Sequence, residues 1–211
     1  MNITIAVMAH PKRKAAADAL LDQLRKYPFK EATIIWDEID NEWHTGARAL
    51  RWGIDRGDFH VVIQDDARLT TEFYANIEGA IHNCPGGKAL ISLYTGTARP
   101  FGKRVKNAVE RAEHATWLRH FLLMWGVGFI IPTSHIQPML EFVVDRQEPY
   151  DTRIGIFYHR NRLPIYYTMP CLVDHDDGVG SLLGHGATPE PRVAHKLATG
   201  LIAWNNQVID I

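Results

Sequence analysis

Short apolar runs, several rich in β-branched residues, recur along the chain with segments of helical spacing between them. Ile3-Thr-Ile-Ala-Val-Met8, Thr33-Ile-Ile-Trp36, Phe59-His-Val-Val-Ile63, Ala89–Tyr94 and Ile165–Met169 read as strands. Unbroken apolar runs of this length suit strands covered on both faces. Lys12–Lys26 carries Ala16, Leu20, Leu21 and Leu24 at helical spacing, and Ala47–Ile54, Thr70–His82, Thr133–Val144 and Asp151–Tyr158 also read as helices. The pair Thr70-Thr71 is expected to begin one of these and Ser134 to cap another. Alternation of this kind predicts an α/β fold with a mainly parallel central sheet flanked by helices. Phe121–Ile131 is apolar throughout, and Gly126 and Gly128 favour strand over helix there. Arg104–Leu118 fits either a helix or a mobile segment.

The 211 residues suit one domain, with residues 1–185 as its body and 186–211 as a tail packed on or extending it. With 46% apolar and 22% charged residues, the chain is not disordered, collagenous or a coiled coil. A net charge of −1 removes the electrostatic case for non-specific nucleic-acid binding. Two cysteines, Cys84 and Cys171, and no CxxC pair point to reduced thiols without a disulfide partner. The start, MNITIAVMAHPKRK, runs apolar then basic, the reverse of a secretory segment. The longest apolar run, Phe121–Pro132, falls short of the ~20 residues that cross a bilayer. A cytoplasmic protein with no membrane span is expected.

Gln64-Asp65-Asp66 follows the third strand directly. Ligands of open α/β sheets bind at the carboxyl ends of strands. Adjacent carboxylates there repel each other unless a cation or hydrogen bonds compensate, and oxygen ligands of this kind suit Mg²⁺ or Mn²⁺. The alternative is a solvated turn that starts a helix. Asp174-His175-Asp176-Asp177-Gly178, with Ser181 and His185 behind it, is a second polar cluster, either part of a metal or phosphate site or a plain loop. No HExxH, P-loop, dinucleotide fingerprint or GxSxG elbow is present. Most of the eleven histidines, His60 and His82 among them, read as surface or satisfied core residues.

Phe59-His-Val-Val-Ile-Gln-Asp-Asp-Ala-Arg-Leu-Thr-Thr-Glu-Phe73 resembles the strand, acidic motif and helix of GT-A-type glycosyltransferases, most of all the lipopolysaccharide-type group. Trp125-Gly-Val-Gly-Phe-Ile-Ile131 resembles the Gly-rich strand of those enzymes. Tyr150-Asp-Thr-Arg-Ile154 resembles their aspartate-bearing segment before a helix, and Pro170-Cys-Leu-Val-Asp-His175 their closing segment. Gln64 departs from the pattern, standing where the family commonly has an acid.

The resemblance implies a nucleotide-sugar donor and a divalent cation, Mn²⁺ or Mg²⁺. Ala9, His10 and Arg13 would lie near the base and ribose, and Asp37 would accept a hydrogen bond from the base. Trp43, Gly46 and Arg48 would flank the donor sugar and phosphates, with Arg48 a bidentate diphosphate partner. Asp65 would meet the ribose and sugar, and Asp66 with His175 would hold the metal. Asp151 is the implied general base; read as a local feature, it is equally an N-cap for a helix starting at Thr152. Tyr94, Trp125 and Gly126 would face the acceptor, although core packing explains the two aromatics as well. The acceptor stays open between a glycan, a protein and a modified nucleic acid. A non-catalytic nucleotide- or carbohydrate-binding relative is the alternative that Gln64 favours. A nucleotidyltransferase comes third, because the basic loop after the first strand has no glycine.

Overall fold

The computed structural model describes residues 1–98, 100–176 and 192–211. Asp177, Gly178, Ser181 and His185 lie outside the described residues. The body is an eight-stranded sheet between two layers of helix. In chain order its strands are β1 (Ile3–Ala9), β2 (Glu31–Trp36), β3 (Phe59–Gln64), β5 (Leu90–Ser92), β6 (Trp117–His120), β7 (Gly128–Pro132), β8 (Ile165–Thr168) and β10 (Val208–Asp210). Their order across the sheet is β10-β6-β8-β5-β7-β3-β1-β2. β4 (Ala67–Leu69) and β9 (Val173–His175) form a separate antiparallel ribbon.

The β1 residues alternate between two cores, as the period-2 pleat requires. Ile3, Ile5 and Val7 join a cluster with α1 (Lys14–Leu24) and α3 (Phe73–Asn83). Ala6 and Met8 join the opposite cluster with α2 (Glu42–Gly53), α4 (Gly102–Arg111), α5 (Thr133–Phe142) and α6 (Tyr150–Arg160). All seven residues of β1 are buried, which explains its unbroken apolar run.

The sheet is mostly parallel, as expected, but mixed. β7 runs antiparallel to both β3 and β5, and β6 antiparallel to β8, while β1–β2, β1–β3, β5–β8 and β6–β10 are parallel. The apolar runs are equally dense in either direction, so composition did not reveal this. From β1 the chain crosses one face through α1 to β2, then returns along the other face through α2 to β3, on the far side of β1. The carboxyl ends of β1 and β3 therefore flank a crevice where the connections diverge.

Several local expectations are corrected. Of the apolar run Phe121–Ile131 only the part from Gly128 is strand. Leu123 and Met124 are buried as loop residues, and the Tyr167 hydroxyl accepts the Met124 N–H and donates to the Leu122 carbonyl. An apolar stretch does not by itself separate strand from buried loop. Arg104–Leu118 divides into α4 and the start of β6. Ser134 caps nothing, since α5 starts one residue earlier, after Pro132. Thr70 does not begin α3; its hydroxyl and N–H both bond the Leu172 carbonyl and tie down β9.

His60 is a satisfied core residue. Its Nε2–H donates to the Ala49 carbonyl and its Nδ1 accepts from the Thr4 hydroxyl, and burial pushes its pKa down to about 4. His82 sits exposed in the last turn of α3. Cys84 and Cys171 are both buried free thiols. Trp204 stacks on Trp117 at 4.8 Å and β10 pairs with β6, so the described part of the tail is woven into the body. No helix among the described residues is long and apolar enough to cross a membrane.

Candidate functional site

A cleft open to solvent lies at the divergence of β1 and β3. Ala9, His10 and Arg13 line it from the β1 side and Gln64, Asp65 and Asp66 from the β3 side. Asp37 and Asp40 from the β2–α2 connection and Glu42 and Thr45 from the start of α2 complete it, together with His175 and Arg192. The three segments meet because β1 is hydrogen-bonded to both β2 and β3.

Both aspartates are buried, with Asp65 6% and Asp66 7% exposed. One guanidinium nitrogen of Arg13 reaches Asp65 Oδ1 at 2.9 Å and Asp66 Oδ2 at 2.7 Å. The other Asp65 oxygen accepts the His10 N–H at 2.9 Å, so Asp65 fastens the β1 loop. His175 Nε2 lies 3.3 Å from Asp66 Oδ2. The ribbon sets this contact: Ala67 is in register with His175, and the Asp176 N–H bonds the Asp66 carbonyl.

The two carboxyls titrate in opposite directions. Burial raises Asp65, and the His10 N–H and Arg13 only partly offset it. Burial also acts to raise Asp66, but the His175 bond and Arg13 outweigh it and hold it below the usual carboxylate range. Asp66 Oδ1 is buried and has no hydrogen-bond partner among the described residues. An open oxygen on a carboxylate whose other oxygen meets an imidazole offers oxygen and nitrogen donors together, which fits Mn²⁺ better than the all-oxygen preference of Mg²⁺.

At the other end of the cleft, Asp37 Oδ1 accepts the Ile39 and Asn41 N–H groups. Burial raises its pKa, but those bonds prevail and lower it. Ligand atoms of His10, Asp37 and Asp40 lie within 4.8 Å of one another, with Asp40 exposed to solvent. Five carboxylates face the cleft against two arginines, so a diphosphate would enter favourably only with a cation.

Other residues expected at the site fall outside the cleft lining. The Arg48 guanidinium donates to the Trp36 carbonyl at 3.1 Å and to Glu38 at 2.7 Å. Arg48→Ala is accordingly expected to cost no more than about 1 kcal/mol, the scale of exposed ion pairs. It should weaken nucleoside and nucleoside diphosphate binding equally; calorimetry that finds a selective loss of the diphosphate would reverse this assignment. Trp43 stacks under the Arg153 guanidinium at 4.5 Å. Tyr94, 2% exposed, offers no ring face to an acceptor, and Trp125 packs edge-on between Tyr94 and Phe101.

Gly46 and Gly126 both make room for Tyr150. A Cβ on Gly46 would stand 2.3 Å from the Tyr150 ring, and one on Gly126 3.0 Å from it. Gly46→Ala forces that buried ring to shift and is expected to destabilise by roughly 1–3 kcal/mol, read as a lower urea midpoint; an unchanged midpoint would show that the ring yields freely. Asp151 is not an N-cap, because α6 begins at Tyr150. Its Oδ1 accepts the Thr152 N–H, and burial raises its pKa against that bond.

Asp40, Glu42, Thr45 and Arg192 line the cleft and were missed by sequence reasoning. Asn41 caps α2 by accepting the His44 N–H, which starts the helix earlier than the expected Ala47 and turns Glu42 into the cleft. Asn41 followed by an acidic first turn was a readable start signal. No protein-family model and no curated protein matches the sequence.

Proposed function

We propose that the protein is a metal-assisted glycosyltransferase that moves a sugar from a nucleotide-sugar donor to a hydroxyl acceptor on a glycan, a protein or a modified nucleic acid. One observation carries the reading: Asp66, with an open buried oxygen, meets His175 and Arg13 at the carboxyl ends of β1 and β3. The four motifs that resemble GT-A-type glycosyltransferases run in the same order along the chain.

In this reading the nucleotide lies along the β1 and β2 ends, where Asp37 and the His10 loop offer polar partners. Asp66 and His175 would hold the cation, which supplies Lewis-acid stabilisation of the diphosphate leaving group. Arg13 adds a positive charge beside the same oxygens. The anomeric C–O bond breaks as positive charge develops on the sugar ring, as in glycoside hydrolysis. A carboxylate must then take the proton of the attacking hydroxyl. Gln64 favours a second reading, a binding module without turnover, because a neutral amide stands at the position the resemblance gives to an acid.

A thermal-shift screen of UDP, GDP, UDP-glucose, UDP-galactose and GDP-mannose, with and without Mn²⁺, tests the first reading, and release of free sugar separates it from the second. Stabilisation by none of these ligands would remove both.

A further inference from the structure

We infer that Glu42, rather than Asp151, is the group that takes the proton from the acceptor hydroxyl. The inference rests on the glycosyltransferase reading and deepens it. Glu42 lines the cleft beside Gln64 and Asp66, whereas Asp151 is not part of the lining. The Asp151 carboxylate is committed to the first turn of its own helix through the Thr152 N–H. Glu42 is held by a neutral donor, the Gln64 side-chain amide at 3.3 Å. No lysine or arginine pairs with it among the described residues, and Arg13 is turned onto the aspartate pair.

His10, Arg13, His175 and Arg192 line the same cleft, but the charges that act on the Glu42 carboxyl are those of Asp151 and Asp66. Asp151 and Tyr150 approach from α6, and Asp66 from the end of β3. The Tyr150 hydroxyl is buried without a hydrogen-bond partner among the described residues. Burial, then the charges of Asp151 and Asp66, push the Glu42 carboxyl up to about 7. A carboxyl so placed exchanges a proton near neutrality, which is what base catalysis asks of its base. Gln64 gains a purpose from this arrangement. An acid at position 64 would repel Glu42, whereas the amide orients it.

In the step itself, a Glu42 oxygen accepts the proton of the acceptor hydroxyl. The acceptor's own hydroxyl oxygen, having given up that proton, forms the new bond to the anomeric carbon. The bond from the anomeric carbon to the diphosphate oxygen breaks, and its electron pair leaves on the nucleoside diphosphate. Asp151 is then a positioning residue that acts through its charge on Glu42.

Two measurements test the inference, with water as the acceptor. The first is turnover of UDP-glucose, UDP-galactose and GDP-mannose with Mn²⁺. Glu42→Gln should keep donor affinity and lower turnover by about 10²–10⁴-fold. Asp151→Asn keeps an oxygen for the Thr152 N–H but removes a like charge. It should stay within about tenfold of the parent and move the rise of kcat/KM to lower pH. The second is a carbon-13 titration of carboxyl-labelled glutamate in the protein without ligand. The signal lost in Glu42→Gln should titrate near neutral pH in the parent and at lower pH in Asp151→Asn. Turnover retained in Glu42→Gln, or a midpoint in the ordinary glutamate range, overturns the inference while leaving sugar transfer standing. Failure of the parent to bind any of the three donors overturns sugar transfer and the inference with it.

Discussion

Asp66→Ala should abolish the Mn²⁺-dependent part of nucleoside diphosphate binding while the ligand-free protein stays folded, at a lower melting temperature than the parent's. The two halves of the expectation have separate causes. Asp66 carries the buried oxygen that has no partner within the described residues, so its removal deletes a ligand atom; it also removes the Oδ2 contacts to Arg13 and His175, which lowers stability. Arg13 keeps Asp65 as its partner, and the two adjacent buried carboxylates become one, which offsets only part of the loss of the Arg13–Asp66 bond. In the parent, ligand at a hundred times its dissociation constant adds about 2.7 kcal/mol. For a domain of this size that amounts to roughly 5–11 °C. The variant should show almost none of that gain when Mn²⁺ is added to UDP or GDP. A full Mn²⁺-dependent shift in Asp66→Ala would place the cation elsewhere in the cleft, with His10, Asp37 and Asp40 the next group to replace.

What could be read from the sequence follows the strength of local signals. β1, β2 and β3 announced themselves because each is a dense apolar run, and all of β1 is buried. The acidic pair was legible because it follows such a run without a break. β4, β6, β9 and β10 were not, since each has only three or four residues and carries charge: Arg68, Arg119, Asp174 and Asp210 sit within them. Their pairing is set by distant partners, and no window along the chain contains both strands. The same holds for β7, whose direction depends on where β3 and β5 lie.

The site divides in the same way. Asp66 and His175 come together only through the β4–β9 ribbon, so their meeting could be taken from a resemblance but not from spacing. Arg48 looked like a phosphate ligand by residue type alone, yet β2 supplies both of its acceptors or their neighbour, the Trp36 carbonyl and Glu38. Tyr94 looked like a platform until the sheet closed over it. Glu42 was passed over because the helix was started too late, which left its first turn unread.

Replacing Arg13 with methionine should produce the largest loss of stability among the site variants, and Mn²⁺ should restore part of it. The methionine keeps most of the apolar stem and removes the charge. Asp65 and Asp66, each less than a tenth exposed, then face each other with no guanidinium between them. Removing one partner of a buried ion pair costs about 3–5 kcal/mol, because the remaining charge stays buried. The pH dependence identifies the cause. Asp66 titrates below its ordinary value in the parent, so it contributes stability that is complete above about pH 3.9 and is lost as pH falls through its folded value. Without Arg13 that contribution shrinks or reverses sign, and both carboxyls are expected to titrate higher. The deficit relative to the parent should therefore be greatest near neutral pH and narrow as the medium is acidified and the carboxylates take up protons. Mn²⁺ supplies a replacement charge at the same oxygens and should raise the variant's melting temperature by more than the parent's. Urea midpoints for parent and variant between pH 4 and 7.5, with and without Mn²⁺, decide the matter. A deficit that stays constant across that range, or ignores the metal, would mean that Arg13 stabilises the β1 loop by packing rather than by holding two buried charges together.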